Sequence, residues 1–91
     1  MVFLQMATAE PLPEKERELV DRMKSFAEFL QSQPGLVNVF VLREEGSGAM
    51  VGLSIWRDKE CFERGMEAAS GQPPKMPMTL EPPRMQRFTE L

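Results

Sequence analysis

The chain has no histidine and no tyrosine, and only one cysteine and one tryptophan among its 91 residues. Histidine is the side chain most often recruited for proton transfer and for zinc, copper and haem iron, so its absence argues against a resident metal. No cofactor is expected, and acid–base chemistry would fall to Asp, Glu, Lys, Cys or water. A single cysteine excludes an internal disulfide. No apolar run approaches the roughly 18 residues of a membrane span, and the opening MVFLQMA lacks the basic start and long apolar core of a secretion signal. A cytoplasmic protein with no membrane partner is expected. The net charge is −3, with 11 Lys and Arg interleaved among 14 Asp and Glu. That pattern leaves no electropositive footprint for a nucleic acid.

What is present describes one globular domain over residues 1–91, with 42% hydrophobic and 27% charged residues. At this size oligomerisation is a common way to complete a core. VFLQMAT (2–8) reads as a first strand, broken by Pro11 and Pro13. From Glu14 to about Gln33, Leu19, Val20, Met23, Phe26, Ala27 and Leu30 recur at helical spacing and predict an amphipathic helix, with Pro13 in its first turn. QPG (33–35) stops it. LVNVFVLR (36–43) is apolar on both faces, with Leu36, Asn38, Phe40 and Leu42 expected to point one way and Val37, Val39 and Val41 the other.

REEGSG (43–48) supplies turn glycines for a hairpin into AMVGLSIW (49–56). Asp58 is placed to cap a second helix through about Ala69, with Phe62, Met66 and Ala69 inward. Residues 71–83 hold five of the eight prolines and read as a connector, a lid or an arm over a partner subunit. RMQRFTEL (84–91) predicts a last, edge strand. The order β-α-β-β-α-β is the ferredoxin-like α+β arrangement, an antiparallel sheet with two helices on one face. Two strands apolar on both faces then require a cover for the bare side, and a homodimer packed sheet to sheet supplies it.

The run FLQSQPGLVNVFVL, the hairpin to MVGLSIW and the helix RDKECFERGM resemble the antibiotic biosynthesis monooxygenase (ABM) domain of the dimeric α/β-barrel superfamily, over roughly residues 2–70. The resemblance implies a homodimer with a cavity between sheet and helices. In that family some members oxygenate polycyclic phenols without a cofactor, and others degrade haem. The tryptophan that holds the substrate in the cofactor-free members matches Trp56, while their accompanying asparagine falls at Gly52. The iron-ligating histidine of the haem degraders falls at Gly65 or Met66.

The candidate pocket residues follow from both readings. Trp56 is a stacking wall or a core residue, and Gly52 removes volume beside it on the same face as Met50 and Ser54. Ser54 offers a hydroxyl to a ligand oxygen but has no histidine to make it a nucleophile. Phe62 and Met66 come from the second helix, and Met50, Met66, Met76, Met78 and Met85 suit an adaptable apolar cavity. Asn38 is a polar amide in an apolar strand, serving a pocket or a dimer interface. Arg84 and Arg87 are cations for an acidic phenol. Cys61, at a helix N-terminus, is expected to be buried as a small apolar residue.

The leading expectation is a homodimer that binds a small apolar or aromatic molecule, with cofactor-independent oxygenation of a phenol or enol as the reaction if there is one. No residue stands out as a catalytic base. The alternative is a non-catalytic binding or assembly domain of the same fold, with an isomerase or cyclase accessory as a third reading.

Overall fold

The computed structural model describes residues 1–69 and 82–91. The expected element order is borne out: β1 (Phe3–Ala9), α1 (Glu16–Gln31), β2 (Leu36–Arg43), β3 (Met50–Trp56), α2 (Lys59–Ala69) and β4 (Arg84–Thr89). The strands form one antiparallel sheet in the order β2-β3-β1-β4. Both helices cover the same face. Leu19 of α1 packs with Ala9 and Met50, while Phe62 of α2 packs with Phe3 and Trp56, and these four strand residues all project to one side by alternation. The lid expected of residues 71–83 falls almost wholly outside the described residues. No helix among the described residues is long and apolar enough to cross a membrane.

Helix α1 begins two residues later than its periodicity predicts. Pro13 belongs to a turn, in which the Lys15 N–H donates to Leu12 O at 2.9 Å and Glu14 takes φ +66°. Proline followed by a positive φ is the signature of a type II turn, and the rigid ring suits that place as well as a first helical turn. At the other end Ser32 closes the helix by donating its hydroxyl to Phe29 O at 2.7 Å. Gly35 then turns the chain into β2 at φ +85°.

Strand β2 carries a register shift between Leu36 and Asn38. The strict alternation expected of residues 36–43 therefore fails at its start, because the extra residue moves Leu36 to the helix-facing side. There it pairs with Trp56 and packs on the core. Asn38, Phe40 and Leu42 face the opposite way. With the registers combined, the helix-facing side shows transverse rows: Leu36, Trp56, Phe3 and Thr89; then Val39, Ser54, Gln5 and Arg87; then Val41, Gly52, Ala7 and Met85.

Candidate functional site: the cavity between helix α1 and the sheet

The first row is filled by aromatic packing. Trp56 is fully buried, edge-on to Phe62 at 6.0 Å and 79°, and Phe62 in turn meets Phe3 at 4.8 Å. The indole lies on the bare backbone of α2: a Cβ at Gly65 would stand 2.3 Å from Trp56 Cη2. Trp56 Nε1 is buried with no hydrogen-bond acceptor among the described residues. This row closes the core.

The next two rows are not filled. Ala7 and Gly52 are too small to reach α1, and Ala27 on the helix leaves the same space from above. The result is a cavity of about 430 Å³, walled by Met23, Phe26 and Leu30 and extended by Met66 and Met85. A Cβ on Gly52 would meet only Met23 Cε, at 3.4 Å. The volume lies within the range of small-molecule sites, which combine apolar walls with a few polar groups.

Those polar groups are Gln5, Ser54 and Arg22. Ser54 is buried, and its hydroxyl has no partner among the described residues. Gln5 is its cross-strand neighbour. The Gln5 amide donates from Nε2 to Met85 Sδ at 3.7 Å, leaving Oε1 buried without a donor. Arg22 enters from α1, half-buried, with no carboxylate partner among the described residues.

The structure thus brings Gly52, Ser54, Met66 and Met85 of the expected set to one cavity; Met76 and Met78 lie outside the described residues, and the others are held elsewhere. Trp56 and Phe62 are held one row away by their mutual packing. Met50 is buried under Leu19. Asn38 lies on the opposite sheet face, in register with Ile55 and in alternation with Phe40 and Leu42, exposed, with Oδ1 accepting from the Val39 N–H at 2.8 Å. Arg84 shares that face, opposite Thr8. Arg87 is on the helix-facing side beside Gln5, but its guanidinium rests over the Phe62 ring, 5.2 Å from the centroid. Gln5 and Arg22 were missed. Each had a signal: Gln5 is the polar member of the row Phe3, Gln5, Ala7, Ala9, and Arg22 interrupts the apolar stripe of α1.

Outside the cavity, Asp58 caps α2 as expected, accepting from the Cys61 N–H at 2.8 Å. That backbone hydrogen bond holds the Asp58 carboxyl below the usual carboxylate range. Cys61 is buried and free, with Arg57 Nη2 at 3.2 Å from its sulfur.

The profile of the antibiotic biosynthesis monooxygenase family matches residues 2–69, the whole of β1 through α2. This chain belongs to the ABM family. No curated protein sequence matches it. Solved structures similar to this ABM chain include Rv0793 of Mycobacterium tuberculosis, at TM-score 0.78 and 10% identity, covering 100% of this chain and 96% of that one. MhuD, a haem degrader of the same organism with two haems bound in its active site, matches at TM-score 0.76 and 18% identity, covering 98% and 95%. A monooxygenase of Streptomyces coelicolor in complex with nanaomycin D matches at TM-score 0.72 and 18% identity, covering 98% and 87%.

The residues of this ABM chain do not fit a haem held as the resemblance describes. The chain has no histidine. At Gly65 any side chain would overlap the indole of Trp56. Met66 does reach the cavity, but a thioether is a ligand of electron-transfer haems rather than of oxygen-activating ones.

Proposed function

We propose that this ABM protein is a homodimer that binds a small, largely apolar aromatic molecule in the cavity between α1 and the sheet. The observation that carries the reading is the pairing of a hollow apolar floor, Gly52 and Ala7, with two polar atoms in the adjoining row, the Ser54 hydroxyl and Gln5 Oε1, that no group among the described residues engages. The homodimer is supported by the bare sheet face, where Phe40, Leu42 and Phe88 are 40%, 44% and 45% exposed beside Leu4, Met6, Leu53 and Ile55. A contiguous apolar surface of this kind marks an association site.

The reaction proposed is cofactor-independent monooxygenation of a phenol or enol. The ionised substrate reduces O2; one oxygen atom enters the carbon framework and the other leaves as water with two substrate hydrogens. Ser54 and Gln5 would hold the reacting oxygen, and the apolar walls would exclude water. A second reading, binding without turnover, is favoured by the lining itself: among the described residues it holds no carboxylate, lysine or histidine that could serve as a base.

The test is calorimetric titration of the protein with planar phenols, with Gly52→Leu as the blocked control, followed by oxygen uptake with any phenol that binds. Binding lost in Gly52→Leu together with oxygen uptake supports the enzyme. Binding without uptake supports the second reading. A wild-type protein that binds no phenol refutes both.

A further inference from the structure

The polar groups of the cavity are not alike, and their placement gives the ligand a direction. Arg22 and Met23 lie toward the Ala9 and Met50 end of the sheet, where Met23 packs with Leu19, whereas Phe26 packs toward Phe3 and Trp56, next to the row of Ser54 and Gln5. One turn of α1, about 6 Å of rise, separates Arg22 from Phe26. A cation therefore stands toward one end of the cavity and a neutral hydrogen-bonding pair toward the other.

Their chemistry differs in the same sense. Arg43, Arg57 and Arg64 each meet a carboxylate of this chain, and Arg22 meets none among the described residues. It stands three residues after Leu19 and four before Phe26, among the residues that line the cavity, and a guanidinium that no carboxylate among the described residues engages suits an anion. At the other end, Gln5 Oε1 is a buried acceptor without a donor, a state that native structures seldom leave uncompensated. A ligand hydroxyl satisfies it by donating, and accepts in turn from the Ser54 hydroxyl. A carboxylate there would set acceptor against acceptor.

We propose that the ligand is a hydroxylated aromatic acid, bound with its carboxylate on Arg22 and its hydroxyl between Gln5 and Ser54. This rests on the reading of the cavity as a small-molecule site. Three probes separate the two claims: naphthol, naphthoic acid, and hydroxynaphthoic acid with its substituents at opposite ends of the ring system. By calorimetry the wild-type protein binds hydroxynaphthoic acid about tenfold or more tighter than either single-function probe. Arg22→Gln removes its advantage over naphthol and leaves naphthol binding unchanged. Gln5→Leu removes its advantage over naphthoic acid and leaves naphthoic acid unchanged. Circular dichroism confirms that both variants are folded.

Naphthol and hydroxynaphthoic acid binding equally well, or an acid advantage that survives Arg22→Gln, overturns the proposal while the cavity reading stands. A folded protein that binds none of the three overturns the cavity reading and this proposal with it.

Discussion

Gly35 lies directly on Cys61: a Cβ at Gly35 would stand 2.4 Å from Cys61 Sγ and 2.5 Å from Cys61 Cβ. The same glycine takes φ +85°, and its carbonyl accepts the Arg57 N–H at 2.8 Å. One turn thus ties the end of α1, the end of β3 and the start of α2 together. Gly35→Ala suffers both a left-handed backbone and a steric overlap, together on the order of 3 kcal/mol. Urea denaturation is expected to show a lower midpoint with an unchanged slope; an alanine variant as stable as wild type would refute the contact.

At Gly65 two general effects oppose each other. Helix propensity alone makes alanine better by about 0.8–1 kcal/mol. Overlap with the Trp56 indole costs on the order of 1–3 kcal/mol. The overlap is expected to win, so Gly65→Ala lowers the melting temperature and shifts the emission of the sole indole to the red. Trp56→Leu, which empties part of the core but removes the obstructing ring, should cost less in the Gly65→Ala background than in wild type.

Asp58 carries a pH dependence whose sign is fixed by its cap. Its carboxyl is depressed in the folded state by the Cys61 N–H, so the stabilisation is present above the unfolded aspartate value of about 3.9 and lost as pH falls through the lower folded value. Thermal melts from about pH 6 to about pH 2 should show this loss in wild type. Asp58→Asn keeps a capping oxygen without the titration, and its curve is expected to be flatter in that window.

Glu14, exposed and at φ +66°, occupies a backbone region that costs a side chain about 1–2 kcal/mol. Glu14→Gly relieves this cost against a smaller entropy penalty, giving a net gain on the order of 0.5–1 kcal/mol. Calorimetric melting decides it; a decrease would show that the turn is held in another conformation.

The bare sheet face predicts self-association that depends on Phe40 and Phe88. A charge on either, Phe40→Lys or Phe88→Lys, places an ion within the apolar surface opposite the helices. Sedimentation equilibrium should show a dimer for wild type and a shift toward monomer for both variants, with helical content retained.

The element order was legible because each segment declares its period: helical stripes in α1 and α2, apolar runs in β2 and β3, glycines at 46 and 48 that take the positive φ values of the hairpin turn. The start of α1 was not, since Pro13 suits a turn and a helix equally. The status of Trp56 was undecidable locally. The residue that makes it core, Gly65, lies on another element, and a helical glycine gives no hint of what rests on it. Gln5 and Arg22 each leave a local trace, but that both line one cavity follows from strand register and helix docking, which no single segment encodes.

The bulge in β2 has a consequence for which lengths of this strand the fold tolerates. Leu36 already sits opposite Trp56 and Asn38 opposite Ile55, adjacent positions of β3, so Val37 between them is surplus to the pairing, and it is largely exposed. Removing Val37 would leave every other residue of the strand opposite its present partner. A deletion after Asn38 would instead turn one part of the strand inside out, exchanging residues that floor the cavity for those of the bare face. Length variation in this strand, by mutation or over descent, is therefore confined to a single joint.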